Sequence, residues 1–240
     1  MNIALVGYGK MGKIIEDVAL SRGHQVGVKI DINNLDEFNA ENFASVDAAI
    51  EFTGPHTALQ NVLKCLDLNT PVVCGSTGWL EQLSTVEEKC NQTDGSFLYA
   101  SNFSVGVNIF FEVNKKLAQL MEGQRQYNVS ITEIHHTQKK DAPSGTAITL
   151  AEQVLAFNSS KSQWVNEDPA SADQLFIKSE RIDPYPGWHE VKYSSDIDEI
   201  QIIHNAHSRN GFALGAVLAA EFIHGKKGIF SMKDVLGFGN

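Results

Sequence analysis

The sequence predicts an α/β protein in two parts: a Rossmann-type doubly wound parallel sheet, and a second α+β domain built on a mixed sheet. Three observations carry this. Short apolar runs alternate with helix-period stretches through roughly the first 100 residues. A glycine-rich turn joins the first strand to the first helix. Beyond residue 170, three strand-like runs succeed one another with no helix between them, a spacing that suits antiparallel or mixed pairing.

In chain order, residues 2–6 (NIALV) form a short buried strand, and Met11, Ile14, Ile15, Val18 and Ala19 then recur at helical spacing until Gly23 stops the helix. Residues 25–31 and 47–53 (DAAIEFT) read as strands closed by Gly, Pro or Asn. A helix follows with Ala58, Val62, Leu63 and Leu66 inward, then a strand at 71–74, a helix around Leu80, Leu83 and Val86, and a strand at 97–100. After Asn102 a long helix carries Ile109, Val113, Leu117 and Leu120. Residues 128–135 alternate with strand period and lead to a helix beginning near Ser144. Strands are expected at 176–182, 190–193 and 199–205, and the polar stretch 158–173 as a loop. A Gly/Ala-rich helix at 211–224 and a short segment at 231–236 return to cover the first sheet. The expected domains are 1–103 together with 209–240, and 104–208.

The chain of 240 residues carries 19 Lys+Arg against 29 Asp+Glu, a formal charge of −10. That balance argues against non-specific binding to nucleic acid or an anionic membrane. The longest apolar stretch, 212–220, is well short of the ~20 residues that a membrane span needs. No basic leader precedes the first strand, and Cys65, Cys74 and Cys90 form no CxxC pair, so reduced thiols in a cytoplasmic compartment are expected, with no metal. Trp79, Trp164 and Trp188 read as packing residues, and Cys74 as buried strand packing.

Gly7, Gly9 and Gly12 form a GxGxxG between strand and helix, the context that separates a dinucleotide fingerprint from ordinary turn glycines. Gly7 allows the tight turn, Gly9 the approach of a pyrophosphate to the helix N-terminus, and Gly12 close packing of helix on strand. Asp31, 19 residues after Gly12 at the end of the next strand, is placed to accept hydrogen bonds from ribose hydroxyls. Its charge repels a 2′-phosphate and Ile32 supplies no guanidinium, which favours NADH over NADPH; Lys10 and Lys13 offset part of this. Gly75, Ser76, Thr77 and Gly78, and Ala100, Ser101, Asn102 and Phe103, fall at further strand ends suited to the nicotinamide-ribose half.

The stretch 133–146 concentrates His135, His136, Lys139 and Lys140 in an acidic protein. Ser144 is an N-cap candidate and Pro143 marks the helix entry. A helix start there aims the first-turn N–H groups of Gly145 and Thr146 outward, and with Lys139 these make an anion site suited to a carboxylate. A histidine beside it can move a proton near neutral pH, as reduction of a C=C or C=N bond requires. Neighbouring strand residues point to opposite faces, so His135 and His136 are poorly arranged to chelate one zinc ion.

The string ExHHxxKxDxPSGTA at 133–147 resembles that of the dihydrodipicolinate reductase family, together with GxGxMG at 7–12, GSTG at 75–78, SNFSVGVN at 101–108, PGxHEV at 186–191 and SRxxFxxGA at 208–216. The resemblance runs from about residue 2 to 238. It implies that His135 is a proton donor/acceptor and Lys139 a proton donor, with His136, Gly145 and Thr146 binding a dicarboxylate substrate. For NADH or NADPH it implies Gly7, Tyr8, Gly9, Lys10, Met11, Gly12, Asp31, Gly75, Ser76, Thr77, Ala100, Ser101, Asn102 and Phe103. It further implies hydride transfer to a hydroxylated tetrahydrodipicolinate with loss of water, in the diaminopimelate route to lysine. The expected assembly is a homotetramer formed through the sheet of the second domain. The alternatives are another two-domain nicotinamide dehydrogenase of the aspartate or homoserine type, or an NAD(H)-sensing protein without chemistry; the SGT helix start disfavours the first and the acidic charge the second.

Overall fold

The computed structural model describes residues 1–238; the last two positions of the expected 209–240 segment lie outside the described residues. The chain begins with β1 (Asn2–Val6), α1 (Lys10–Ser21), β2 (Gln25–Ile30), α2 (Ala40–Phe43), β3 (Ala48–Glu51), α3 (Ala58–Asp67), β4 (Val72–Cys74), α4 (Leu83–Gln92) and β5 (Ser96–Tyr99). It continues through α5 (Val105–Leu120), β6 (Asn128–His135), α6 (Gly145–Leu155), β7 (Gln163–Val165), β8 (Gln174–Arg181), β9 (Gly187–Ser194) and β10 (Glu199–Ala206). It ends with α7 (Asn210–Ile223), β11 (Gly228–Phe230) and α8 (Met232–Val235). Two compact units result: residues 1–105 joined by the chain from Asn210 onward, and Gly106–Arg209.

The first unit is the expected parallel sheet, six strands in the order β11-β5-β4-β3-β1-β2. β3 and β4 are buried along their whole length, as strands covered on both faces must be. One face packs Ala58, Val62 and Leu66 of α3 and Val86 of α4. The other packs Ile15 and Ala19 of α1 with Ala213, Ala216, Val217 and Ala220 of α7. The small residues of α7 let it lie close: a Cβ on Gly215 would stand 1.7 Å from the carbonyl oxygen of Phe103. The returning chain also adds β11 beside β5, a strand that the sequence reading did not assign.

The second unit is a mixed five-stranded sheet, β10-β9-β6-β8-β7, in which β6 runs antiparallel to β9 and parallel to β8. Residues 129, 131, 133 and 135 of β6 face inward. Val129 and Ile131 pack with Ala147, Leu150, Ala151 and Val154 of α6 and with Phe110 of α5. The expected loop 158–173 contains β7, which pairs parallel with β8 through Trp164 and its neighbours. In α5 the buried positions are Val107, Phe110, Asn114 and Ala118, whereas Ile109, Val113 and Leu120 of the apolar stripe are exposed. Asn114 belongs inside because its amide donates to Leu150 O (3.1 Å) and Gln153 Oε1 (2.9 Å) on α6.

Candidate active site

In the first unit a cleft of about 640 Å³ opens at the carboxyl ends of β1 and β2, lined by Gly7, Tyr8, Gly9 and Asp31 together with Ile32, Leu35 and Pro55. A second hollow of about 420 Å³ adjoins it, lined by Gly9, Lys10, Met11, Gly75, Ser76 and Thr77; Phe52, Thr53, Gly54 and Pro55 border both. Gly7 holds φ +103° and a Cβ there would stand 2.2 Å from Phe52 O, while a Cβ on Gly12 would stand 2.4 Å from Gly7 O. Both glycines are therefore demanded by the protein itself. Gly9 is not: a Cβ there meets nothing within 4 Å, so its bareness leaves open room at the head of α1. That helix has no side-chain cap and no acid in its first turn, which leaves its positive end for an anion. These features fit a dinucleotide pyrophosphate.

Asp31 accepts the Asn33 N–H at 2.7 Å through one oxygen. Ile32 and Leu35, 88% and 59% exposed, give the cleft an apolar lip suited to an adenine ring. Lys29, two residues before Asp31, pairs with Glu16, which also accepts the Tyr8 hydroxyl, and its ammonium lies 5.0 Å from the Tyr8 ring centroid. Residues 100–103 follow β5 at the same sheet edge but line neither hollow. Phe103 is the expected contact that the structure turns inward: it is buried, its ring 5.7 Å from that of Phe52.

In the second unit the strand period of β6 puts Glu133 and His135 on the buried face, and His136 is the first residue beyond the strand. Glu133 is fully buried. Its Oε1 accepts the Ser144 N–H (3.0 Å) and Arg181 Nη2 (3.2 Å); its Oε2 lies 3.2 Å from His135 Nδ1 and 3.7 Å from His189 Nε2. Burial alone would raise the carboxyl pKa, but the adjacent His135 imidazole and the hydrogen bonding of Ser144 outweigh it and hold the group well below the usual carboxylate range. His189, stacked edge-on at 5.0 Å from the His135 ring, is pushed down to about 3 by burial and by His135, so it is neutral. Gly187 leaves space beside His135: a Cβ there would lie 3.2 Å from Nε2.

Ser144 caps α6 as expected, accepting the Ala147 N–H (3.2 Å), and lies 3.2 Å from His189 Nε2. Gly145 and Thr146 open the helix, with Gly145 exposed. Arg181 fastens the preceding loop by donating to the carbonyls of Lys139 (3.2 Å) and Asp141. Lys139 donates to both carboxylate oxygens of Asp141 (2.8 and 2.7 Å). Thr137 is tied to Asp183 through its N–H (3.1 Å) and hydroxyl (2.8 Å). His136 Nδ1 is buried with no hydrogen-bond partner among the described residues.

The ligand atoms of Glu133, His135 and His189 come within 4.8 Å of one another, so the histidine that neighbours His135 is His189 rather than His136. The guanidinium of Arg181 supplies positive charge to the same carboxylate through its other oxygen, Oε1.

Family models place the chain. Residues 1–103 match the model described as dihydrodipicolinate reductase, N-terminus, and residues 106–236 the model for its C-terminus. The chain belongs to the dihydrodipicolinate reductase family. Within that family, a 4-hydroxy-tetrahydrodipicolinate reductase of Christiangramia forsetii is 50% identical over 236 residues, 98% of either chain. One from Neisseria meningitidis serogroup C is 33% identical over 234 residues, covering 94% of this chain and 85% of its own. A solved dihydrodipicolinate reductase with bound dipicolinate, from Paenisporosarcina sp. TG-14, shares the fold with a TM-score of 0.74 at 22% identity, over 96% of this chain and 97% of its own.

Sequence reasoning assigned no role to Glu133, Arg181 or His189 of this family member. Glu133 stood inside the quoted string, and its inward strand phase beside His135 was the available signal. Arg181 and His189 come from other strands and meet it only through sheet pairing, β6 with β8 and β9.

Proposed function

We propose that this chain is an NAD(P)H-dependent 4-hydroxy-tetrahydrodipicolinate reductase, an oxidoreductase of lysine and diaminopimelate biosynthesis. The substrate gains a hydride at the ring carbon bearing the hydroxyl, the hydroxyl leaves as water with a proton, and tetrahydrodipicolinate results. The observation that carries the reading is that Glu133 binds both sides of one site: its Oε1 takes the N–H of the α6 cap and its Oε2 faces His135. A proton-transfer group is thereby set beside a helix start suited to a carboxylate.

In this reading the bound dihydronicotinamide supplies the hydride. Gly7, Tyr8, Gly9, Lys10, Met11 and Gly12 hold the pyrophosphate at the head of α1, Asp31 the adenosine ribose, and Gly75, Ser76, Thr77 and residues 100–102 the remaining half. His135 supplies the proton from Nε2, the nitrogen turned away from Glu133, and returns to its resting state by uptake from solvent. Gly145, Thr146 and His136 bind substrate carboxylates. Lys139 adds a cation and proton donor once the substrate competes with Asp141 for its ammonium. Asp31, Ile32 and the pairing of Lys29 with Glu16 support NADH as the preferred reductant.

The protein is read as a cytoplasmic homotetramer. The face of the second sheet opposite its core carries Ile134, Trp188 and the exposed Ile203, an apolar set suited to burial against another copy. Among the described residues no helix is long and apolar enough to cross a membrane.

The test is oxidation of NADH and of NADPH at 340 nm with the condensation product of pyruvate and aspartate semialdehyde generated in the same cuvette. Turnover is expected, faster with NADH at low concentration. Cofactor binding without turnover would overturn the reading. Light scattering of the purified protein tests the tetramer.

A further inference from the structure

Glu51 ends β3 and is fully buried, yet it belongs to none of the expected site residues. Among the described residues no Lys, Arg or His forms an ion pair with it. A buried carboxylate of that kind is costly unless donors surround it. The donors here come from the two loops that border the cofactor cleft. Oε1 accepts the Thr53 N–H (3.0 Å), the Thr53 hydroxyl and the Ser76 hydroxyl (3.1 Å). Oε2 accepts the thiol of Cys74 at 3.0 Å, a group that burial, and then the charge of Glu51 itself, keeps protonated.

The bonds continue outward. The Thr53 N–H is shared with Ser76 Oγ (2.8 Å), joining the two loops directly. Thr53 Oγ1 accepts from Thr57 Oγ1 (2.8 Å) and Asn61 Nδ2 (3.2 Å), and Thr57 and Asn61 line the larger hollow. Ser76 lines the smaller one beside Gly75 and Thr77. One carboxylate therefore reaches the walls of both hollows while standing behind them.

We propose that Glu51 is a positioning residue for the nicotinamide cofactor, fixing the 53–57 and 75–78 loops in the one spacing that admits the dinucleotide. The inference rests on the cofactor reading above. It accounts for the full burial of an acid at the strand end where a dinucleotide would cross the sheet edge, with its charge met by loop donors rather than by a cation.

The experiment is titration of the full-length protein with NADH, followed by calorimetry and by nicotinamide fluorescence, for wild type, Glu51→Gln, Thr53→Val and Ser76→Ala. Glu51→Gln keeps shape but replaces an acceptor by an NH₂ donor facing the Cys74 thiol. The expected result is a Kd for NADH raised about tenfold or more in Glu51→Gln and severalfold in Thr53→Val and Ser76→Ala. The KM for NADH should rise with it, and the KM for the dicarboxylate should move less than twofold. Folded Glu51→Gln with wild-type NADH affinity would overturn the proposal. If that variant does not fold, Thr53→Val decides, because Ser76 is itself assigned to the cofactor: a raised Kd supports the proposal and an unchanged Kd overturns it. A wild-type protein that binds neither NADH nor NADPH would overturn the cofactor reading and this inference with it, whereas normal wild-type binding with unaltered variants would overturn this inference alone.

Discussion

The carboxylate of Glu133 and the imidazole of His135 sit two residues apart on one strand face, with Oε2 3.2 Å from Nδ1 and both side chains inside the unit. The same carboxylate holds Arg181 and the head of α6. Orientation of the imidazole and placement of the helix start thus depend on one group. Glu133→Gln is expected to lower kcat by about 10- to 100-fold, the scale of a misoriented acid–base group, with the Kd for NADH unchanged. Glu133→Ala additionally leaves Arg181 without its carboxylate and should cost about 3–5 kcal/mol in urea unfolding. Full turnover in a folded Glu133→Gln would sink the assigned role.

Lys139→Ala is expected to reduce kcat by roughly 10²–10⁴-fold and to leave NADH binding intact, which steady-state kinetics and a fluorescence titration check together. Because Asp141 competes for the ammonium, Asp141→Asn should lower the KM for the dicarboxylate. An unchanged KM would mean that the pair opens freely.

At the adenosine end, Asp31→Ser combined with Ile32→Arg replaces repulsion of a 2′-phosphate by a guanidinium. The ratio of kcat/KM for NADPH to that for NADH should rise at least tenfold, about 1.4 kcal/mol. A ratio that stays put would place the discriminating group elsewhere, and Lys29 would be next to examine.

His189 provides a pH signature. Its folded pKa is depressed to about 3 by burial and by its neighbour His135, whereas in the unfolded chain it takes a proton near 6.5. The unfolded state thus binds the extra proton, so the stability that this group contributes is complete above about pH 6.5. It falls by up to ~1.4 kcal/mol per pH unit as the pH drops toward 3. Glu133, with its pKa lowered, adds a loss of the same sign only below the ordinary carboxylate range. Urea midpoints between pH 7.5 and 5 should therefore decline in wild type and decline less in His189→Gln. Parallel slopes for the two proteins would refute the assignment.

Much of this was legible in the chain. The strand Asn128–His135 and the Ser144 cap were readable because alternation and capping are local rules, satisfied within a few residues. The first five parallel strands were readable because each is short, apolar and followed by turn chemistry. What stayed hidden depends on distant partners. β7 and β11 have three residues each and owe their existence to the neighbouring strand. The inward face of α5 could not be ranked by apolarity, since Asn114 wins its place through α6 and Ile109 and Val113 remain outside. Glu51 and Arg181 are single polar residues at strand ends that no local pattern distinguishes from solvent-facing ones, whereas His189 stood in the PGxHEV element and in phase with Val191 and Tyr193, but its meeting with Glu133 needed the pairing of β9 with β6.

The first sheet is finished by the last part of the chain, since α7 supplies much of one of its faces and β11 its outermost strand. During synthesis the second unit is wholly translated before those pieces exist. A chain ending at Arg209 has every strand of the mixed sheet, while β1 to β5 are left with an apolar face uncovered. A released chain truncated after residue 209 should accordingly expose the first unit, rather than the second, to protease.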